Sequence, residues 1–162
     1  MISRLIVSLV MAGAPAVALA LEITPGQIKR ATAHDGYQAA LSKFFPCDAY
    51  KGSAYEQIAT GKREWVALAK AMIKRGDACY TEGIQAALGA AMIVAPSSVL
   101  PLVDSSPLLG ADRICLPFIS DELPKDEQLA ALNKSRQAIA GVRKHQKQRQ
   151  ACLIFIDGIL KR

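Results

Sequence analysis

The sequence has little of what common enzyme classes depend on. Only two histidines are present, His34 and His145. The chain contains no Gly-x-Ser-x-Gly elbow, no His-Glu-x-x-His pair, no phosphate-binding Walker loop and no Gly-x-Gly-x-x-Gly run. With these motifs absent, no catalytic, metal-binding or cofactor-binding residue can be named, and we expect a protein that is not an enzyme.

His34 is followed directly by a carboxylate, Asp35, within a predicted helix. Consecutive residues of a helix point about 100° apart, so the two side chains are not expected to face each other as a catalytic dyad requires. A solvated helix surface accounts for the pair. His145 is likewise interpreted as a surface residue.

The first 20 residues have the pattern of a cleaved secretory signal. Arg4 precedes an apolar run from Leu5 to Ala18, and "ALA" at Ala18–Ala20 is a small-x-small cleavage site. The apolar run is too short for a comfortable membrane span. We therefore predict a signal peptide over residues 1–20, a mature domain over residues 21–162, export from the cytoplasm and no stable membrane insertion.

The chain has four cysteines, and all of them lie in the predicted mature part: Cys47, Cys79, Cys115 and Cys152. Their wide spacing, without Cys-x-x-Cys, disfavours a metal site. An even number of cysteines in an exported chain indicates two disulfides. Of the three possible pairings we favour the first cysteine with the second and the third with the fourth, because each bridge then joins neighbouring helical segments. In the chain-entropy model each bridge stabilises the fold by about 3–4 kcal/mol.

Helical patterns fill the mature chain, and no stretch alternates as a strand would. Thr24 caps a first helix that extends to Pro46, and Ser53 opens a short second one. The segment "KREWVALAKAMIKRG" predicts a helix that ends with Gly76 in the left-handed conformation. Asp77 then caps a helix that is apolar on nearly all sides, which is typical of a central, buried helix.

A last helix is predicted from Pro124 toward Leu160, with Gly141 and Gly158 as places where it could break. Between the central helix and this one, the chain is rich in proline and serine. The sequence therefore predicts an all-α fold: a single compact domain of five or six helices held by two disulfides.

The net charge is +6, and basic residues cluster in "VRKHQKQRQACLIFI", residues 142–156. A basic helix surface favours nucleic acid, a membrane or an acidic protein. Export disfavours nucleic acid, and no aromatic residues are interleaved for base stacking. The segment also lacks the bulky apolar face of a membrane-surface helix. Two interpretations stay open, an acidic protein partner and a merely solvated surface; the residues concerned are Arg143, Lys144, Lys147 and Arg149.

The signal peptide, the helical pattern, "ICLP" at Ile114–Pro117 and "ACL" at Ala151–Leu153 resemble a known group of proteins. These are the small, helical, disulfide-paired immunity proteins of Gram-negative bacteria, notably those that neutralise type VI amidase effectors. The resemblance implies a non-enzymatic protein without a cofactor that binds a secreted effector or hydrolase in the periplasm and blocks its active site. A structural or adaptor protein of the cell envelope is the alternative.

The segment from Pro96 to Gly110 is the first candidate for an element that such a protein inserts into its partner. It is long for a connection in a compact domain, and long connections are often functional. The basic residues would form a second contact surface. The candidate contact residues of the segment are Ser97, Ser98, Asp104, Ser105 and Ser106.

Overall fold

The structure, a computed structural model, describes residues 23–117 and 124–161. The predicted signal peptide over residues 1–20 lies outside these ranges. Within them all regular structure is helical, with nine α-helices and one 3-10 turn. The all-α class is confirmed, whereas the predicted number of five or six helices is too low.

The helices follow one another through short connections. They are α1 (Pro25–Asp35), α2 (Tyr37–Phe44), α3 (Ala54–Ala59), α4 (Arg63–Met72), α5 (Ala78–Val94), α6 (Pro96–Val99), α7 (Ala111–Ile114), α8 (Lys125–Ala140) and α9 (Gln146–Leu160), with the 3-10 turn at Leu100–Leu102 between α6 and α7.

Two breaks account for part of the difference in helix number. Gly36 has a φ of 85°, a conformation that suits glycine and that divides the predicted first helix into α1 and α2. Near the C-terminus the chain leaves α8 at Gly141 and enters α9 after His145, whose φ is 56°. The predicted last helix is therefore two helices, divided at one of the two glycines named from the sequence.

Helix caps are predicted well at helix starts and less well at one helix end. Thr24, Ser53 and Asp77 each accept a hydrogen bond from a first-turn backbone amide of α1, α3 and α5. The prediction that Gly76 ends this helix in the left-handed conformation is wrong. The helix α4 ends at Met72, and Gly76 does not have a positive φ. After Met72 the chain instead continues through a tighter turn, in which the Arg75 amide donates a hydrogen bond to the Met72 carbonyl.

The helix α5 forms the centre of the core, as its composition predicts. Ile84, Leu88 and Met92 have no exposed surface. Two glycines allow neighbours to approach this helix closely. A Cβ on Gly83 would lie 2.5 Å from the Tyr55 ring, and one on Gly89 would lie 1.9 Å from the Leu116 carbonyl oxygen.

The disulfides are Cys47–Cys79 and Cys115–Cys152, the pairings that the sequence favours. The first ties the α2–α3 connection to the first turn of α5, and the second ties the end of α7 to α9. They differ in accessibility. Cys115 and Cys152 have no exposed surface, whereas Cys47 is exposed and Cys79 is partly buried.

A dithiol reductant applied to the native protein is expected to open Cys47–Cys79 well before Cys115–Cys152. Thiol–disulfide exchange requires a thiolate to reach a sulfur atom, and only the first bridge lies near solvent. Alkylation of samples taken over time, followed by peptide mass spectrometry, measures each bridge separately. In denaturant the two bridges should open at similar rates. Equal rates in the native protein would contradict the structure.

Candidate functional site

Side chains from α4, α6 and the start of α9 line a groove of about 330 Å³. Its polar lining is formed by Arg63, Lys70, Ser97, Ser98 and His145, with apolar side chains between them and no carboxylate among the lining residues. We call it the electropositive groove. The segment after Pro96 contributes Ser97 and Ser98 to this groove, and the basic segment contributes His145. The predicted contact residues Arg143, Lys144, Lys147 and Arg149 are not among the lining residues.

The local structure explains how these groups converge. Arg63 and Lys70 are about two helical turns apart, so both lie on one face of α4. Pro96 occupies the first turn of α6, where its missing amide hydrogen is tolerated, and this places Ser97 and Ser98 in the same turn. His145 precedes α9 in the left-handed conformation, which histidine adopts more readily than most residues.

The basic residues surround the start of a helix rather than forming one continuous helical surface. Arg143 and Lys144 are exposed in the α8–α9 connection, and Lys147 is exposed in the first turn of α9. Arg149 differs from them: it is partly buried, and its Nη1 donates a hydrogen bond to the Val142 carbonyl over 2.9 Å. Arg149 therefore closes the break between the helices and is the least available of the four for a partner.

The electrostatics at this helix start are unbalanced. No acidic residue occupies the first turn of α9, and no side chain caps it. A helix N-terminus carries a partial positive charge, so nearby cations destabilise it by about 0.3–1 kcal/mol each at low ionic strength. By contrast, α8 begins with Asp126 and Glu127, which are favourable there. The positive charge beside the groove is thus uncompensated within the described part of the chain.

The segment from Pro96 to Gly110 is packed against the core rather than free. Val99, Leu100 and Leu109 have almost no exposed surface, because the apolar residues between its prolines point inward. Its exposed residues are Ser97, Pro101, Asp104, Ser105 and Pro107.

Asp104, Ser105 and Ser106 are not among the residues that line the groove. The Ser106 amide donates to Asp104 Oδ1 over 2.8 Å. Hydrogen bonds from the Ser106 side chain and backbone hold the pKa of Asp104 below its usual range, and the charges of Lys74 and Lys70 add to this effect. Asp104 therefore stays ionised and stabilises its own turn, near the basic side of α4.

The expectation that His34 and Asp35 do not face each other is wrong. His34 Nδ1 lies 2.5 Å from Asp35 Oδ1, because Asp35 is the last residue of α1 and the chain turns away at Gly36. The hydrogen bond with Asp35 raises the pKa of His34. Both side chains are exposed, and no third side chain of the described residues joins them in a triad.

Residues 23–117 and 124–161 hold no group of three or more side chains that could bind a metal ion. None of the helices in those ranges combines the length and the apolar character that crossing a membrane would need.

A second concave surface, of about 890 Å³, was not foreseen from the sequence. We call it the aromatic cleft. It is lined by the Cys47–Cys79 disulfide, Tyr50, Tyr55, Glu82 and Gly83, among others. The favoured cysteine pairing was the signal that could have found it, because that bridge brings the tyrosines of the α2–α3 region to the first turns of α5.

Burial raises the pKa of Tyr55 to about 12, with smaller contributions from Tyr80 and Asp77. The Tyr55 hydroxyl therefore keeps its proton and donates a hydrogen bond to the Phe45 carbonyl oxygen over 3.0 Å. This hydrogen bond fixes the ring that forms the floor of the cleft.

No protein-family model, curated protein or solved structure matches this chain.

Proposed function

We propose that this chain is an exported, non-enzymatic binding protein whose electropositive groove holds an acidic surface of a protein partner. We further propose that the partner is a toxic effector or hydrolase, which the chain neutralises in the periplasm as an immunity protein does. The observation that carries the proposal is the convergence of Ser97, Ser98 and His145 on one groove with Arg63 and Lys70.

The charge distribution supports an acidic partner. Three exposed cations, Arg143, Lys144 and Lys147, lie around a helix start that has no acidic residue of its own. Carboxylates of a partner would supply the missing negative charge, and complementary charges favour fast and selective association. The serine hydroxyls can donate hydrogen bonds to the same carboxylates.

The stiffness of the groove supports binding without rearrangement. The Cys115–Cys152 disulfide ties α9 to the end of α7, and Arg149 ties the start of α9 to Val142. A surface that is ordered before binding loses less conformational entropy when the partner arrives. Two disulfides also suit an oxidising compartment outside the cytoplasm.

The double substitution Arg63→Glu and Lys147→Glu is expected to reduce partner capture at least tenfold while leaving the fold intact. Both residues occupy first turns, of α4 and of α9, where glutamate is favourable to the helix. The variant should therefore unfold at the same temperature as the native protein or a higher one. Capture from periplasmic extract on the immobilised mature chain, with mass spectrometry of the bound proteins, measures the effect.

The matched control is Lys125→Glu with Lys134→Glu. It makes the same charge change at exposed positions of α8 that do not line the groove, and it should capture the partner as the native chain does. Raising the salt concentration should weaken native capture, since exposed charges are screened over about 10 Å at 0.1 M salt. Unchanged capture by the Arg63→Glu, Lys147→Glu variant would exclude the groove and the start of α9 as the contact surface. A captured structural component of the envelope would favour the adaptor role instead.

A further inference from the structure

We propose that the aromatic cleft is a binding site for a small organic cation with an apolar body, such as a protonated arylalkylamine or a quaternary ammonium compound. This site is separate from the electropositive groove, and the inference does not rest on the function proposed for that groove.

The cleft lies between two walls that a disulfide joins. One wall is a single face of α5, on which Cys79, Glu82, Gly83 and Ala86 recur at helical spacing. The other wall is the α2–α3 connection, and the Cys47–Cys79 bridge fixes its distance from the helix. The cavity volume of about 890 Å³ lies within the range of about 300–1,000 Å³ that small-molecule sites occupy.

The aromatic side chains are held in place before any ligand arrives. The Tyr50 ring stacks on the Tyr55 ring, with 5.8 Å between centroids and 12° between planes. Tyr55 in turn packs on α5 at Gly83, where a Cβ would come within 2.5 Å of the ring. The Tyr50 carbonyl accepts hydrogen bonds from both the amide and the hydroxyl of Ser53.

Tyr50 nevertheless keeps 44% of its surface exposed. One of its faces is covered by Tyr55, so the other is free to contact a ligand. An aromatic face attracts a cation through its quadrupole, and this attraction strengthens when the cation is taken out of water.

Glu82 determines the sign of the charge that fits. Among the described residues, it is the only charged one that lines the cleft, and no hydrogen bond or ion pair with them engages its carboxylate. A neutral apolar ligand would partly desolvate this carboxylate without giving it a partner, and an anion would be repelled by it. A cation with an apolar body satisfies the carboxylate and the aromatic wall together.

Three probes of similar size and different charge test the proposal on the mature, fully oxidised chain: benzyltrimethylammonium, benzyl alcohol and benzoate. We expect isothermal titration calorimetry to show binding of the cation and at least tenfold weaker binding of the other two. NMR shifts on titration with the cation should concentrate at Tyr50, Glu82 and Gly83. Equal binding of the three probes, or no binding of the cation, would overturn the proposal.

Two substitutions locate the site. Glu82→Gln keeps the length of an exposed side chain and removes its charge, and Tyr50→Ala removes the free aromatic face; each should weaken cation binding about tenfold. The matched control Glu64→Gln makes the first change on α4, away from the cleft, and should have no effect. If Tyr50→Ala unfolds the protein, the Glu82→Gln variant still tests whether the cation binds in the cleft. Cation binding that survives Glu82→Gln unchanged would refute the assigned role of the carboxylate.

The disulfide provides an independent check. Because Cys47–Cys79 joins the two walls, its selective reduction should weaken cation binding while the buried Cys115–Cys152 bridge stays closed. Capture of an acidic protein partner by the electropositive groove should be unaffected, so failure of either proposal can be recognised without reference to the other.

Discussion

Replacing Gly89 with alanine is expected to lower the free energy of unfolding by about 2–3 kcal/mol. The new Cβ would lie 1.9 Å from the carbonyl oxygen of Leu116 and 3.0 Å from its carbonyl carbon. Because both atoms belong to the backbone, neither can rotate away, and α5 must move relative to the segment after α7. This strain outweighs the helix propensity of alanine, which would otherwise stabilise a mid-helix position by about 1 kcal/mol.

The control for this prediction is Gly158→Ala in α9. Apart from the adjacent backbone of α9, no atom of the described residues lies within 4 Å of the Cβ position there, so the substitution should stabilise the protein by up to about 1 kcal/mol. Denaturant unfolding of the two variants and the native chain, under oxidising conditions, measures both effects. The two substitutions are chemically identical and have opposite expected signs. A Gly89→Ala protein as stable as the Gly158→Ala protein would mean that α5 and Leu116 are not in contact.

Removing the buried disulfide by Cys115→Ala with Cys152→Ala is expected to lower the free energy of unfolding by about 4 kcal/mol. The two cysteines are 37 residues apart, and releasing a loop of that length gives the unfolded chain about this much additional conformational free energy. Alanine is the suitable replacement, because a serine at these fully buried positions would leave a polar group without a partner. Since domains are typically stable by about 5–15 kcal/mol, this loss removes between about a quarter and about four fifths of the stability, and the temperature of unfolding should fall accordingly.

The comparison variant is Cys47→Ala with Cys79→Ala. Its cysteines are 32 residues apart, so the chain-entropy contribution is nearly the same. Only the buried pair also leaves a cavity, which adds a packing penalty. Thermal unfolding should therefore rank the variant lacking Cys115–Cys152 below the one lacking Cys47–Cys79. The reverse order would show that the Cys47–Cys79 bridge stabilises the native state by more than loop closure.

The features predicted correctly depend on local interactions. Thr24 and Asp77 cap helices through hydrogen bonds that span three residues, and the apolar composition of α5 predicts its burial. The break at Gly36 and the end of α4 before Gly76 were missed, because glycine is compatible with a helix interior and with several ways of ending one. Tertiary packing decides between these outcomes, and the local sequence pattern carries no information about that packing.

Some residues of the candidate site were identified from the sequence, but their spatial arrangement was not predicted. Ser97 and Ser98 were identified from the sequence, but their proximity to His145 depends on how α4 and α6 pack and on where α9 begins. Arg63 and Lys70 were not identified, since isolated cations on an amphipathic helix look like any solvated surface. The aromatic cleft was missed for a similar reason: its floor exists only because Gly83 leaves room for a ring from a different helix.

The order of the disulfides along the chain has a consequence for how the molecule matures. Each cysteine pairs with its neighbour in sequence, so the bridges Cys47–Cys79 and Cys115–Cys152 do not interleave. Wherever the chain is oxidised as it emerges N-terminus first, the first bridge can close before the third cysteine becomes available. A catalyst that joins cysteines in order of appearance would produce the native connectivity directly, and no later reshuffling of mispaired bridges would be needed.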